Sequence, residues 1–385
     1  MRASSFARSR NSVSCTVTGH ALPQPFELFF ELSGAEPSHN GNWALAALLV
    51  PATAWGEGEL EIDAPVSAKL LSNLATIQEI YEHGVVSAPP VAIRVAGAIR
   101  DAAPSQPNSA SFFSGGVDSL HTLIENRETL THLILANGFD ILLRQDKFFS
   151  TVESLARKAA SAFSKRLLIV RTNVRDLYGK TGVEWIAYHG SVLAAIALCL
   201  DEFASSVLIA STYSYEDLHP WSSHPLLDPL WSTETLRVVH DGAGATRMKK
   251  VEVVAREPAA LSIVRVCWEE LDPGLNCGRC EKCMRTMLAL ELLGRLEQCP
   301  TLPHRIDERA IGKFALSEDA MLYWREFLGY PMDSRLRRTI ESAIRTQEMG
   351  FGTDYGTWKS KARRALVLAR HMRDDLAAGL RMLGA

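Results

Sequence analysis

The sequence predicts an α/β protein: a mostly parallel, doubly wound sheet, with a small mixed α/β domain before it and a helical region after it. Three observations carry this reading. From Ala110 onward, apolar strand-like runs alternate with helix-like runs, the rhythm of a parallel sheet covered on both faces. The 385 residues exceed what one small core uses, so the length favours two or three domains. With 47% hydrophobic and 22% charged residues, the composition is that of an ordinary globular protein.

In chain order, residues 1–105 read as the small mixed domain. The Arg- and Ser-rich start, MRASSFARSRNSVSC, lacks an apolar core for a secretory signal and reads as a frayed terminus. FELFFEL (26–32) and WALAALLVPA (43–52) read as strands, the second a buried one. GELEIDAPVS reads as a strand and a turn. AKLLSNLATIQEIYEHG (68–84) has helical spacing and ends at Gly84, and PVAIRVAG follows as a strand. A linker rich in Pro, Ser and Asn is expected at 101–109.

Residues 106–300 read as the central domain. Its strand candidates are 110–113, 131–137, 166–172, 206–211, 236–241 and 262–267, with helices clearest at 148–164 and 184–201. Residues 301–385 read as helical. From Arg335 to Arg381 there are eleven Lys and Arg against five Asp and Glu, a basic stretch that offers a surface to tRNA or a protein partner or forms a solvated helix face. The net charge of −3 argues against a chain that coats nucleic acid. No apolar run reaches transmembrane length, and with no secretory signal the expected location is cytoplasmic.

Chemistry concentrates in two places. The first is Ser114-Gly115-Gly116-Val117-Asp118-Ser119, between the first central strand and the helix after it. Glycine lets the backbone turn sharply and approach a ligand closely. The first turn of a helix presents unpaired N–H groups and the positive end of its dipole. Together they make an anion site, to which the serine hydroxyls add donors and Asp118 a group able to orient a metal ion or cap the helix. The run lacks the lysine of a Walker A loop and does not follow G-x-G-x-x-G. The second place is the cysteine group Cys267, Cys277, Cys280 and Cys283, the last three spaced C-x-x-C-x-x-C. Four thiolates at such spacing suit a closed, structural Zn²⁺ site, with an iron–sulfur cluster or redox chemistry as the competitor. Arg279, Lys282 and Arg285 would offset the thiolate charge.

The hexapeptide resembles the S-G-G-x-D-S signature of the PP-loop ATP pyrophosphatases, the adenine nucleotide α-hydrolase-like superfamily, at Ser114, Gly115, Gly116, Asp118 and Ser119. Joined with the cysteine group and Arg285, it is similar to the 7-cyano-7-deazaguanine synthase branch over about residues 110–295. The resemblance implies a fold of that superfamily's type with a zinc-binding extension. It implies ATP and Mg²⁺, with the turn on the β- and γ-phosphates and a substrate oxygen attacking the α-phosphate to release pyrophosphate. An amide or nitrile would then form with ammonia. On that reading Ser114, Asp118, Ser119 and Arg247 are the catalytic candidates. Ser114 to Ser119, with Ala136, Gly138 and Lys250, are those for ATP.

The chain departs from that branch between residues 211 and 234, STYSYEDLHPWSSHPLLDPLWSTE. This aromatic, polar segment should lie over the carboxyl ends of the strands and form a lid and substrate pocket, or pack its aromatics on the N-terminal domain. Tyr213, Asp217, His224 and Asp228 are its substrate candidates. The substrate of the branch therefore does not carry over: the acceptor is a carboxylate on a small molecule or a protein terminus. Arg247 and Lys250, at the start of a helix, suit charge stabilisation at a leaving pyrophosphate or a solvated basic helix start. His189 reads as a satisfied core histidine. Sulfur transfer and non-catalytic nucleotide binding remain the alternatives, with Cys15, Cys199 and Cys299 left over for a persulfide. A homodimer is a further expectation.

Overall fold

The structure is a computed structural model of the chain that describes residues 1–100, 107–180, 182–267, 269, 275–311, 314 and 316–348. It divides into two compact units, Met1–Asn276 with Gln298–Thr301, and Cys277–Glu297 with Leu302–Ala385. Most of the basic C-terminal stretch, from 349 on, lies outside the described residues.

The first unit is α/β. Its strands are β1 (Arg2–Arg8), β2 (Ser12–Thr18), β3 (Phe26–Ser33), β4 (Glu59–Ser67), β5 (Ala92–Ile99), β6 (Asn108–Phe112), β7 (His132–Asn137), β8 (Arg166–Thr172), β9 (Ala204–Ala210) and β10 (Arg237–Asp241). They form one ten-stranded sheet in the order β10-β9-β6-β7-β8-β3-β2-β1-β4-β5. Pairing is parallel from β10 to β8, antiparallel from β8 through β3 and β2 to β1, and parallel again through β4 to β5. The strands expected in a separate N-terminal domain therefore extend the central sheet, through the pairing of β3 with β8.

The helices of this unit are α1 (Asn42–Ala54), α2 (Ala68–Ile80), α3 (Val117–Glu125), α4 (Asp146–Ala162), α5 (Val174–Tyr178), α6 (Trp185–Leu198), α7 (Arg247–Ala255) and α8 (Pro258–Leu261). Residues of α1, α2, α5 and α6 share one buried apolar cluster with β1 to β4 and the inward residues of β6 to β10. Strand β7 gives Ile134 to that cluster but not Leu133 or Leu135, the alternation a pleated strand imposes. Helix α4 packs on β7 and β8, α3 on β6 and β9, and α7 on α3. The sheet is thus covered on both faces.

Three local expectations are corrected. WALAALLVPA is not a strand but most of α1, buried from Asn42 to Thr53. A helix buried all round loses its polar stripe, so its apolar run looks like a buried strand; its Ala and Leu content favours the helix. Pro51 inside α1 cannot donate to the carbonyl of Ala47, and the buried Tyr178 hydroxyl donates to that oxygen instead, at 3.0 Å. The terminus expected to fray forms β1 and β2, and the Met1 ammonium pairs with Glu57 at 2.8 Å. Residues 262–267 are no strand: 264–267 belong to no regular element, and Arg265 N–H donates to Gly115 O at 2.8 Å while Val266 N–H donates to Asn276 Oδ1 at 2.8 Å.

The second unit contains α9 (Glu281–Leu292), and α10 (Glu308–Ile311), α11 (Glu318–Phe327) and α12 (Ser334–Glu348) agree with the helical reading of 301–385 over its described part. Trp324 Nε1 donates to Glu281 at 2.9 Å, and the Arg285 guanidinium lies 4.2 Å from the Tyr323 ring centroid. No helix among the described residues is long and apolar enough to cross a membrane.

Candidate functional site

Strands β6, β7, β9 and β10 are parallel, so the connections that leave them emerge at one end of the sheet. The strand order reverses there: β7 and β8 follow β6 on one side, while β9 and β10 lie on the other. A crevice at such a reversal, beyond the carboxyl ends of the strands, is where open α/β sheets receive ligands. The Ser114–Gly116 turn leaves β6 at that point and enters α3.

The turn is built around two glycines. Gly115 sits at φ +77°, and a Cβ there would meet Ile263 O, Arg265 Cβ and Leu155 Cδ2, each at 3.3 Å. Its far side is packed against the 263–265 segment, while Ser114, Gly116 and Asp118 are partly exposed. Gly116 is the N-cap of α3, and no side chain caps the helix. The first-turn N–H groups therefore carry the positive end of the dipole toward the turn. Ser119 Oγ donates to Gly116 O at 3.0 Å, and Ser114 Oγ accepts from Gly116 N–H at 3.3 Å.

Two cations from α7 converge on the same place. Arg247 Nη2 is 3.0 Å and Lys250 Nζ 3.3 Å from the two oxygens of Asp118. Lys250 also donates to Ser211 O at 2.5 Å. Thr246 caps α7, its side chain accepting from Lys249 N–H. Burial alone would raise the Asp118 carboxyl, but Arg247 and Lys250 outweigh it and hold the group below its ordinary value. Burial pushes the Lys250 ammonium down, opposed by Asp118. Two cations thus stand beside an uncapped helix start, with Asp118 between them and Asp241 also within electrostatic reach of Lys250. That combination fits an anion with several oxygens. Asp118 thus holds the two cations and does not cap α3.

Sequence reasoning missed His121. It is three residues beyond Asp118, on the same face of α3. Its burial, with the Lys250 charge, keeps it below the usual histidine range, and a Cβ at Gly242 would lie 3.2 Å from its Nδ1. Asp241 accepts from Thr122 Oγ1 at 2.7 Å and from Asn126, fixing the end of β10 to α3.

Gly138 follows β7 at φ +89°, and a Cβ there would lie 1.7 Å from Thr172 O. Close packing against β8 therefore demands this glycine whatever it contacts. Ala136 is a partly buried residue of β7.

The segment 211–234 leaves β9 at the same end of the sheet. The Tyr213 ring lies 4.3 Å from that of His219 and 5.3 Å from that of Trp221. Asp217 accepts from Ser214 Oγ at 2.6 Å. His224 Nδ1 accepts from Leu226 N–H. Asp228 is fully buried and accepts from Ser223 Oγ at 2.8 Å and from His224 N–H, with His240 Nδ1 2.7 Å away. Asp217 and Asp228 thus hold the segment in shape. His189 is a buried residue of α6 that meets Ser222 Oγ at 2.9 Å, as expected of a core histidine. A Cβ at Gly190 would lie 1.8 Å from Ser222 O, so the segment lies directly on α6.

The ligand atoms of Cys267, Cys277, Cys280 and Cys283 lie within 4.8 Å of one another. Cys280 is the N-cap of α9, its sulfur accepting from Cys283 N–H, and Cys277 Sγ accepts from Cys280 N–H at 3.1 Å. Gly278, between two of the ligands, sits at φ +65°. Four sulfurs so gathered can hold a metal ion such as zinc. Arg285 is engaged by Glu281 and Tyr323. No family model, curated protein or solved structure matches the chain.

Proposed function

We propose that the chain is an ATP-dependent adenylating enzyme of the PP-loop ATP pyrophosphatase type, which activates a carboxylate for attack by ammonia. The observation that supports this most is the convergence of the uncapped start of α3 with Arg247 and Lys250 at the carboxyl end of β6, where the strand order reverses. On this reading the first-turn N–H groups of α3, with Ser114 and Ser119, receive the β- and γ-phosphate oxygens. Arg247 and Lys250 hold the charge that grows as the bond between the α- and β-phosphates breaks. An oxygen of the carboxylate takes the place of pyrophosphate on the α-phosphorus. Ammonia then adds to the acyl carbon, sheds a proton to solvent and expels AMP. Mg²⁺ would enter with the phosphates and neutralise part of their charge. The segment 211–234 would cover the acceptor, whose identity is open between a small molecule and a protein terminus. Zn²⁺ in the four cysteines would hold the chain locally in place, with no open position for chemistry.

The sulfur-transfer alternative draws on Cys15, Cys199 and Cys299, and all three are buried. Burial pushes the Cys15 thiol up to about 12 and the Cys199 thiol well above its ordinary value. A buried, protonated thiol is a poor persulfide carrier, which favours ammonia as the second substrate.

The test is product analysis by phosphorus NMR with Mg²⁺, ATP, ammonium and a panel of carboxylic acids. AMP and pyrophosphate in equal amounts, lost in Lys250→Met, support the reading. ADP and phosphate as the sole products would overturn it.

A further inference from the structure

A third cation reaches the turn after β6, and it comes from the other side. Helix α7, which carries Arg247 and Lys250, packs on α3, whereas α4 packs on β7 and β8. Arg265 lies in the segment behind Gly115, and its guanidinium sits on the α4 side, 5.1 Å from the Phe148 ring centroid. Its Nη1 donates to Ser114 O over a long 3.4 Å. Its Nε is buried and bonds nothing among the described residues. A guanidinium carries five N–H donors in a rigid fork, and removing it from water costs energy unless those donors are met. Asp140 and Cys267 are within electrostatic reach of Arg265, but among the described residues no carboxylate stands at ion-pair distance from it. Arg247 and Lys250, by contrast, share the carboxylate of Asp118. Arg265 is partly exposed, so the end of its fork is open to a ligand.

We propose that Arg265 binds the γ-phosphate of the nucleotide and sets the preference of the site for a triphosphate over a diphosphate. The inference deepens the adenylation reading and rests on it. That reading puts Arg247 and Lys250 at the bond between the α- and β-phosphates, on the α7 side of the turn. A polyphosphate laid from there across the start of α3 brings its far end to the α4 side, where Arg265 stands. Two N–H groups of the fork can meet two oxygens of one phosphate at once, which suits Arg to a terminal phosphate better than Lys. The Phe148 ring supports the guanidinium from one face. Arg265 N–H donates to Gly115 O at 2.8 Å, so the root of the side chain is tied to the turn itself. The guanidinium and the first-turn N–H groups of α3 are therefore held in one frame, ready for a single anion.

Calorimetric titration of the full chain with Mg²⁺-ATP and, separately, with Mg²⁺-ADP tests it. The wild type should bind ATP more tightly than ADP. Arg265→Met should weaken ATP binding by about tenfold or more and leave ADP binding nearly unchanged, so that the preference collapses. Arg265→Gln keeps a donor for the Ser114 carbonyl and removes the charge, and it should show the same selective loss. Arg265→Lys keeps the charge and should retain part of the preference. Lys250→Met should weaken both nucleotides. Circular dichroism melts and zinc contents that match the wild type establish that the variants fold, and Arg265→Gln keeps the test decisive if Arg265→Met does not. Equal losses for ATP and ADP in the Arg265 variants would make the residue a support for the turn and overturn the proposal. ATP binding that Lys250→Met weakens and the Arg265 variants leave untouched would overturn it too, with the nucleotide reading intact. A wild type that binds neither nucleotide would overturn that reading and this inference with it.

Discussion

The N-terminal half of the sheet, β1 to β5, and the central half, β6 to β10, share one set of hydrogen-bond ladders but announce themselves in the sequence very differently. In the central half the strands are parallel, and the connections from β6 through to β9 return through α-helices while that from β9 to β10 runs through the 211–234 segment, so most strands are short apolar runs set beside helical patterns. In the N-terminal half β1, β2 and β3 form an antiparallel meander, and its main helix, α1, has no polar side. The lesson is that periodicity reports exposure as much as it reports secondary structure. Where an element is buried all round, the pattern that names it disappears.

The same contrast explains what could be read of the site. Ser114 to Ser119 were legible because turn chemistry is local: two glycines and small hydroxyl residues between a strand and a helix specify their own conformation. Arg247 and Lys250 were legible as a basic helix start, though their meeting with Asp118 depends on α7 packing on α3. His121 and the carbonyl of Ser211 were not, since what draws them into the site is that packing. The four cysteines were legible from spacing alone. The 262–267 run was misread because its N–H groups bond to Gly115 O and to the Asn276 side chain and not to a neighbouring strand.

The joints of the two halves are where the comparison can be broken. Gly138→Ala in the central half should have the largest effect. A Cβ at 1.7 Å from Thr172 O, on a backbone at φ +89°, cannot be accommodated without moving β8. A loss on the order of 4 kcal/mol is expected, measured by urea unfolding.

Asp201 is the next joint. It is buried, and it accepts from Asn40 Nδ2 and Asn42 Nδ2 at the start of α1 and from Thr233 and Thr235 ahead of β10. Asp201→Ala would leave these donors without their acceptor, at a cost of roughly 3 kcal/mol. If the halves are one cooperative body, tryptophan fluorescence and far-UV circular dichroism will still lose signal together. Two separate transitions would mean that the halves are independent.

Acid sensitivity is the smallest effect, and it separates the halves by residue. The Asp118 carboxyl is held down by Arg247 and Lys250 against its burial. Glu234, which burial would raise, is held down by Ser67 and Lys69 at the start of α2. A carboxyl depressed in the folded state gives stability that is present above its unfolded value, 3.8 for Asp118 and 4.5 for Glu234. That stability is lost as pH falls through the lower folded value. Stability curves from pH 6 to pH 2 should therefore be flatter at the acid end in Asp118→Asn and in Glu234→Gln than in the wild type.

Metal analysis of the purified chain addresses the cysteine group apart from the sheet. About one zinc per chain is expected, and Cys280→Ser should lose it together with the melting transition of the α9 region. A metal-free wild type that melts identically would remove zinc from the account.

The central claim is that the turn after β6 grips a triphosphate with the help of two cations from α7. Calorimetric titration with Mg²⁺-ATP and, separately, with AMP tests it most directly. Micromolar binding of ATP, far weaker binding of AMP, and a loss of at least tenfold for ATP in both Ser114→Ala and Lys250→Met is the expected result. ATP affinity no better than that of AMP, or ATP binding untouched by both substitutions, would contradict it.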